Sequence, residues 1–399
     1  MLPDDMSVAR TAEATVRRVA GWYPIVVITG PRQSGKSTLC RLVRPDLPYV
    51  NLESPAERAL WESDPLGMIR AHPAGAILDE FQRLPDLASA LQVEVDANPA
   101  PGRWLLTGSE NLAVRSSVAQ SLAGRSGHVH LLPLTTVERD AFRPPAKDIW
   151  ERVFTGGYPR IFDRRIPAPV WLADYVATYV TRDARDIVKV GNTATYGTFL
   201  QLAAGRTAQE LNLASLGSDT GITQPTARSW LSTLESMWLV QRLPRWAVNV
   251  TSQAVKAPKL HFLDTGLACN LLGIREASQL VTHPLRGAIF ESWVASELTK
   301  RQMNAGRPSD LHHFRDAQGV EVDLVLAGPQ ATCLVEVKSS ETPDPGALLR
   351  LHRFAGKLPG TVHRLVIHAG DKTVRTERGT LLSWRDLDVA PELAEWFGS

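Results

Sequence analysis

The chain has 399 residues, enough for two or three domains that each bury their own core. Its apolar fraction of 44% and its charged fraction of 22% are ordinary for a soluble globular protein. Its net charge of +2 excludes a basic field over the whole molecule, so any nucleic-acid site must be local.

Cysteine usage and hydropathy exclude further classes of protein. Cys40, Cys269 and Cys333 are far apart, which argues against a disulfide framework and a cysteine-based zinc site. No apolar stretch approaches the length of a membrane span. The acidic N-terminus lacks the basic start and the apolar core of a signal peptide. We therefore expect a cytoplasmic protein that has no membrane partner.

The first motif joins a predicted strand, residues 25–28, to a predicted helix, residues 38–43. Between them stands the spacing G-x-x-x-x-G-K-[ST], which is the phosphate-binding loop. The candidate nucleotide-binding residues are Gly30, Pro31, Arg32, Gln33, Ser34, Gly35, Lys36, Ser37 and Thr38. The glycines permit backbone angles that a Cβ would forbid, and the loop N–H groups point at an anion. We expect Lys36 to reach the β- and γ-phosphates of ATP and Ser37 to ligate Mg²⁺.

One helix is predicted over residues 55–69, and a further apolar strand over residues 76–80 ends in two acids, Asp79 and Glu80. An apolar strand that ends in acids after a phosphate-binding loop is the Walker B arrangement. Asp79 would hold Mg²⁺ through water, and Glu80 would orient and polarise the attacking water. A pair of helix-capping acids is the alternative interpretation, and it would be preferred if the motif stood alone.

A further strand, residues 104–109, ends in small polar residues. In P-loop ATPases of the additional-strand class this strand lies between the other two, and its polar tip contacts the γ-phosphate or the water. Ser109 is the first candidate for that contact and Thr107 is the second, although an ordinary turn fits the same residues. Arg125 precedes a predicted fifth strand. It is either a solvated arginine or a phosphate-sensing arginine that acts in cis or from a neighbouring subunit.

The motifs stand in the order G-P-R-Q-S-G-K-S, L-D-E-F-Q, L-L-T-G-S-E-N, S-L-A-G-R and L-P-L. This order resembles a family of prokaryotic AAA-type ATPases that carry a C-terminal domain named DUF4143, and the resemblance extends over the whole chain. It implies an α/β multidomain fold, with a P-loop ATPase domain of the AAA and additional-strand (ASCE) class in residues 1–140 and the DUF4143 domain in residues 281–399. It also implies ATP and Mg²⁺ as cofactors.

Two regions are predicted between these domains. Residues 141–195 would form a helical linker, and residues 196–280 have the pattern of a winged helix, in which a turn separates a short helix from a longer one and a wing follows. Thr226, Arg228 and Ser229 would lie on the exposed face of the longer helix. DNA readout is one use of such a module, and packing between domains or subunits is the other, because recognition helices usually carry more Lys and Arg.

The last chemical motif lies in the C-terminal domain. A predicted helix carries Glu291, a predicted strand carries Asp323, and the next strand carries Glu336 and Lys338 on one face. This order resembles the core of PD-(D/E)xK nucleases. There, Asp323 and Glu336 would ligate Mg²⁺, and Glu291 would hold a metal-bound water or a second metal. Lys338 would lower the pKa of the attacking water or stabilise the charge on the phosphorane.

The sequence thus predicts an Mg²⁺-dependent ATPase coupled to a nuclease-like C-terminal domain. That domain is expected to act on or near nucleic acid, with DNA favoured over RNA. Cleavage of phosphodiesters is the weaker of the two predicted activities. Two alternatives stay open: a nucleotide-dependent switch whose C-terminal domain binds without cleaving, and a DNA-binding regulator. Glu321, beside Asp323, is interpreted as a solvated or supporting acid. Assembly into a homo-oligomer also stays open.

Overall fold

The computed structural model describes residues 8–109, 120–142, 145–181, 192–246, 257–315, 319–356 and 358–397. The chain forms two compact units. The first unit comprises Met1–Leu134, Ser236–Trp238 and Met303–Arg307, and the second unit comprises Thr135–Glu235, Leu239–Gln302 and Pro308–Ser399. The four-part division into 1–140, 141–195, 196–280 and 281–399 stays a prediction. No helix in the described part of the chain is long and apolar enough to cross a membrane.

The first unit alternates helices and strands. Its elements in chain order are α1 (Glu13–Ala20), β1 (Ile25–Thr29), α2 (Lys36–Val43), β2 (Tyr49–Asn51), α3 (Pro55–Ser63), α4 (Pro65–Arg70), β3 (Ala76–Asp79), a 3₁₀ turn (Phe81–Arg83), α5 (Leu87–Ala97), β4 (Trp104–Gly108) and β5 (Ser126–His130). The helix predicted over residues 55–69 is divided into α3 and α4. Pro65 has no N–H to continue α3, and Asp64 caps α4 by accepting a 2.9 Å hydrogen bond from Gly67 N.

Five strands of the first unit form one parallel sheet in the order β2-β3-β4-β1-β5. Every residue of β1 and β4 is buried, as expected for a parallel sheet that is covered on both faces. Ile25 and Val27 join the core on one face, whereas Val26 and Ile28 join the core on the other. β4 lies between β1 and β3, as predicted, so the carboxyl ends of these three strands meet at one edge of the sheet.

The second unit contains the remaining elements. In chain order they are α6 (Thr136–Phe142), α7 (Ile149–Thr155), α8 (Pro159–Asp163), α9 (Ala168–Tyr175), a π-helical turn (Val176–Val180), α10 (Thr193–Ala204), β6 (Gln209–Glu210), α11 (Leu213–Thr220), α12 (Gln224–Ser236), β7 (Val240–Leu243), β8 (Lys259–Phe262), α13 (Thr265–Leu271), α14 (Ala277–Leu280), α15 (Arg286–Asn304), β9 (Leu311–Arg315), β10 (Glu321–Ala327), β11 (Ala331–Lys338), α16 (Pro345–Ala355), β12 (Thr361–His368), β13 (Val374–Thr376), β14 (Gly379–Ser383), 3₁₀ turns (Trp384–Asp386 and Pro391–Leu393) and α17 (Ala394–Phe397).

A small antiparallel sheet, in the order β6-β8-β7, accompanies α10, α11 and α12. Gly221 ends α11 with a φ of 76°, in the left-handed region that favours glycine, and α12 begins at residue 224. Arg228 and Ser229 on α12 are exposed, and Thr226 is half-buried. The tip of the predicted wing, residues 247–256, lies outside the described residues. The winged-helix interpretation stays a prediction.

A six-stranded mixed sheet, in the order β13-β14-β12-β11-β10-β9, forms the rest of the second unit. β11 pairs with β12 in parallel and with β10 in the antiparallel direction. Phe290, Val294 and Leu298 of α15, spaced by four residues, join the core on one face of this sheet. Leu348 and Leu351 of α16 join the core on the other face. Because both faces are covered, charged side chains that enter these layers need partners.

A glycine in β5 allows α1 to pack closely on the first sheet. A Cβ built on Gly127 would lie 2.2 Å from Val19 Cγ1 and 2.8 Å from Tyr23 Cδ2. We expect Gly127→Ala to lower the free energy of unfolding of the first unit by about 1–3 kcal/mol, because the added methyl group overpacks a full core. Urea unfolding followed by circular dichroism measures this change.

Gly197→Ala is the matched control for that substitution. Gly197 lies inside α10, and an added Cβ would meet nothing within 4 Å. The control should stabilise the chain by about 0.5–1 kcal/mol, because glycine loses more conformational freedom in a helix than alanine does. Unfolding of Gly127→Ala at the same urea concentration as the unchanged chain would contradict the close packing.

Candidate nucleotide site and carboxylate cluster

The phosphate-binding loop begins where β1 ends. Gly30 has a φ of 154° and Gly35 a φ of 95°, and a Cβ on Gly30 would lie 2.1 Å from the carbonyl oxygen of Leu131. Both positions therefore require glycine. α2 starts directly after Gly35, which has no side chain to cap it, so the first N–H groups of α2 face the loop and can bind an anion.

Lys36 is held against the loop. Its side chain is only 5% exposed, and its Nζ donates hydrogen bonds to the carbonyl oxygens of Gly30 at 3.0 Å and Pro31 at 2.8 Å. Burial lowers the pKa of Lys36, although the charges of Glu80 and Asp79 oppose that shift. The ammonium thus has neutral acceptors that a phosphate can replace.

The other predicted loop residues lie in the same segment. Pro31 and Ser34 are buried, Arg32 and Gln33 are half-buried, and Thr38 is exposed in the first turn of α2. Gln33 also has a left-handed backbone, with a φ of 64°. Their contact with a nucleotide stays a prediction.

Arg10 also supports the loop, although no sequence motif predicts it. Its guanidinium donates hydrogen bonds to Ser34 O at 2.6 Å and to Leu132 O at 2.8 Å, and the residue is only 7% exposed. The two acceptors are 24 and 122 positions away in the chain, so no local pattern indicates this contact.

The carboxylate of Asp79 accepts hydrogen bonds from hydroxyl groups on three elements. Ser37 Oγ, on α2, lies 2.9 Å from both carboxylate oxygens of Asp79. Tyr49 on β2 and Thr107 on β4 donate to the same carboxylate. Burial, together with the hydrogen bond and the charge of Asp79, raises the pKa of Tyr49, which keeps its hydroxyl a donor. The resulting group of oxygen atoms has the chemistry that Mg²⁺ prefers.

Glu80 stands at the turn after β3. Its φ of 56° is in the left-handed region, which costs a non-glycine residue about 1–3 kcal/mol and is often found at functional sites. Its carboxylate accepts hydrogen bonds from the Gln82 amide and, at 3.3 Å, from Ser109 Oγ. Gln82 Nε2 also donates to Ser109 Oγ at 3.0 Å. Thr107, the second candidate for the γ-phosphate, contacts Asp79 and the Glu80 N–H instead.

Arg125 is not brought to the phosphate-binding loop of its own chain. Its carbonyl accepts a hydrogen bond from the N–H of Ile25, the first residue of β1, whereas the loop follows the last residue of β1. Its guanidinium forms an exposed pair with Asp96, with 2.6 and 2.8 Å hydrogen bonds. Contact with nucleotide in cis therefore has no support, and a role from a neighbouring subunit stays a prediction.

The second unit gathers the four side chains predicted in its nuclease-like motif. Glu291 lies on α15, Asp323 on β10, and Glu336 and Lys338 on β11. Asp323 accepts a 2.8 Å hydrogen bond from the N–H of Val337, and Lys338 Nζ donates to Glu336 at 2.6 Å. Burial raises the pKa of Glu291 and of Glu336, and the charge of Asp323 adds to both shifts.

Lys259 is a further member of this cluster, and no sequence motif predicts it. It lies on β8, its side chain is 4% exposed, and its Nζ is 3.1 Å from Glu291, 2.9 Å from Glu321 and 3.7 Å from Asp323. Burial opposes its charge, but Glu291 and Asp323 outweigh that effect and raise its pKa. Glu321 is thus a partner of Lys259 as well as a partly exposed acid. The available indication was a lysine in a predicted strand that also carries the apolar residues Leu260 and Phe262.

The described residues contain no group of three or more His, Cys, Asp or Glu side chains placed to hold a metal ion. Mg²⁺ ligation by Glu291, Asp323 and Glu336 therefore stays a prediction from the sequence. The donor set at this cluster includes an ammonium group, whereas metal ligands are unprotonated atoms.

Three family models match the chain. An AAA domain matches residues 23–139, a domain of unknown function (DUF8612) matches residues 146–278, and a domain of unknown function (DUF4143) matches residues 286–387. The AAA and DUF4143 matches follow the order expected from the sequence motifs.

Two solved structures are similar to parts of the chain. The Walker-type ATPase PABY2304 of Pyrococcus abyssi is 16% identical, with 68% of this chain and 99% of that chain covered and a TM-score of 0.46. The RuvB Holliday junction branch migration motor of Thermotoga maritima is 17% identical, with 58% and 86% covered and a TM-score of 0.28.

Two curated relatives are similar over nearly the whole chain. They are the uncharacterized proteins Rv2008c of Mycobacterium tuberculosis and Mb2031c of Mycobacterium bovis. Each is 32% identical over 390 residues, with 95% of this chain and 86% of the relative covered. The chain therefore belongs to the same family as these mycobacterial proteins and is an AAA-type ATPase with a DUF4143 domain.

Proposed function

We propose that the first unit hydrolyses ATP with the help of Mg²⁺. The observation that carries the proposal is the hydrogen bond between Ser37 and Asp79, which joins the start of α2 to the end of β3 beside the phosphate-binding loop. The P-loop ATPase family implies nucleotide binding, usually with Mg²⁺. The hydroxyl and carboxylate oxygens at this edge fit that ion by their chemistry.

Each side chain at the edge has a role in this reaction. Lys36 and the first N–H groups of α2 bind the phosphates. Ser37 and Asp79 hold Mg²⁺, which supplies positive charge to the phosphate oxygens when bound. Glu80 orients and polarises the attacking water, and its hydrogen bonds with Gln82 and Ser109 fix the direction of its carboxylate.

Two substitutions separate binding from chemistry. Lys36→Ala should weaken ATP binding, because the phosphates lose their buried cation. Glu80→Gln should keep ATP affinity and lower kcat about 100-fold or more, because the amide polarises water poorly. Titration with a fluorescent ATP analogue and an assay of phosphate release measure the two effects.

Glu62→Gln is the matched control for Glu80→Gln, since Glu62 is an exposed glutamate at the end of α3. It should leave both affinity and kcat unchanged. An unchanged kcat in Glu80→Gln would refute the role given to Glu80, and an unchanged affinity in Lys36→Ala would refute the phosphate site.

The second unit is also proposed to contact DNA, through α12. The succession of α11, a glycine turn, α12 and the antiparallel pair β7 and β8 supports this proposal, because winged helices follow the same order. The exposed side chains of Arg228 and Ser229 would face the duplex. A module that packs only domains or subunits is the alternative.

Arg228→Ala tests the DNA proposal. If Arg228 contacts phosphate, the substitution should weaken binding to any duplex and reduce the salt slope by about 1. Fluorescence anisotropy of a labelled duplex at several salt concentrations measures both quantities. Arg275→Ala removes an exposed arginine outside α12 and serves as the control. Equal affinities and slopes for the two variants would leave α12 without a role in DNA binding.

The carboxylate cluster of the second unit has two candidate functions. The gathering of Glu291, Asp323, Glu336 and Lys338 supports a nuclease-like core, as the sequence predicts. The position of Lys259 among these acids favours the alternative, in which the domain binds its target without cleaving it. We adopt this second candidate for the DUF4143 domain.

A further inference from the structure

We infer that Lys259 takes the place of a divalent cation in the carboxylate cluster of the second unit, so that the cluster is neutralised from within the chain and binds no metal ion. The inference rests on the non-cleaving role proposed for the DUF4143 domain. It is independent of ATP hydrolysis in the first unit.

The geometry around the ammonium is that of a shared counter-ion. Lys259 Nζ lies within 3.7 Å of carboxylate oxygens from Glu291, Glu321 and Asp323, which come from α15 and β10. The ammonium donates hydrogen bonds to Glu291 and Glu321, and the carboxylate of Asp323 is close enough at 3.7 Å to attract it by charge. A divalent ion placed among the same oxygens would also lie beside the buried positive charge of Lys259, which repels it.

A second cation serves the remaining acid. Glu336 pairs with Lys338 at 2.6 Å, and Arg350, which is 62% exposed, approaches the same oxygen to 3.9 Å. The cluster has four acids, and each has a cationic partner from the protein: Lys259 for Glu291, Glu321 and Asp323, and Lys338 for Glu336. A metal ion that displaced Lys259 from these oxygens would leave its buried ammonium unpaired, which is costly.

A buried histidine lies beside the carboxylate of Glu291. His261 lies two residues after Lys259 on β8, is fully buried, and has its Nε2 3.9 Å from Glu291 Oε1. Within the described residues this Nε2 has no hydrogen-bond partner. The Nε2 of His261 is the type of ligand that Mn²⁺ or Zn²⁺ accepts when the ammonium of Lys259 is removed.

Mn²⁺ binding to the full-length chain tests the inference. The parent protein in this test is the full-length chain with Asp79→Asn, which removes one of the two predicted metal ligands of the first unit. Every variant carries the same substitution, and no nucleotide is added. Electron paramagnetic resonance counts free and bound Mn²⁺. We expect Lys259→Ala to bind one Mn²⁺ at least about tenfold more tightly than the parent, because the repulsion is removed. Adding Asp323→Asn should abolish that gain.

Two control variants test whether the gain in Mn²⁺ binding comes from loss of the charge at Lys259. Lys338→Ala also removes a cation from the cluster, but leaves Lys259 in place, so it should gain no Mn²⁺ site. Lys259→Arg keeps the charge and should behave like the parent. If Lys259→Ala does not fold, the parent still decides: Mn²⁺ bound by the parent and lost on adding Asp323→Asn would overturn the inference.

Cleavage assays give an independent answer. Plasmid DNA incubated with the unchanged chain should stay intact in Mg²⁺ or Mn²⁺, with or without ATP. Cutting that disappears in Asp323→Asn would overturn both the inference and the non-cleaving role. ATP turnover in the same samples reports separately on the first unit, so failure of the ATPase proposal is distinguishable.

Discussion

The buried carboxylate of Asp79 is the group on which the functional edge of the first unit depends. It accepts hydrogen bonds from Ser37, Tyr49 and Thr107, which stand on α2, β2 and β4. Because the donors come from three elements, one carboxylate fixes the phosphate-binding loop against its neighbouring strands. Hydrogen bonds to a charged acceptor are the stronger kind. The position of Glu80 follows from the same contact, since it is the next residue in the chain.

The two units compensate buried charge in different ways. Lys36 in the first unit donates to neutral carbonyl groups, and a phosphate can take their place without leaving a charge unpaired. Lys259 in the second unit is already paired with carboxylates, and removal of either side would leave buried charge without a partner. The first arrangement suits a site that receives an anion repeatedly. The second suits a cluster that holds the domain together and presents a fixed surface.

The sequence predicts well what depends on neighbouring residues. The loop at Gly30 and Gly35 and the strand ending at Asp79 were found from spacing and apolar runs, because a glycine turn and a buried strand are local features. The place of β4 in the sheet followed from the resemblance and is confirmed. Arg10 and Lys259 were missed because their partners are distant in the chain, and only the fold brings them together. A single lysine in a strand does not reveal which acids it will meet.

Steady-state phosphate release from ATP by the unchanged full-length chain is the measurement that tests the central claim most directly. The reaction is followed with Mg²⁺ and again with excess EDTA, in protein purified free of other ATPases. Turnover with Mg²⁺ and its loss in EDTA is the result that the arrangement of Ser37, Asp79 and Glu80 predicts. Absence of turnover with Mg²⁺, in a folded chain that also fails to bind ATP, would contradict the account.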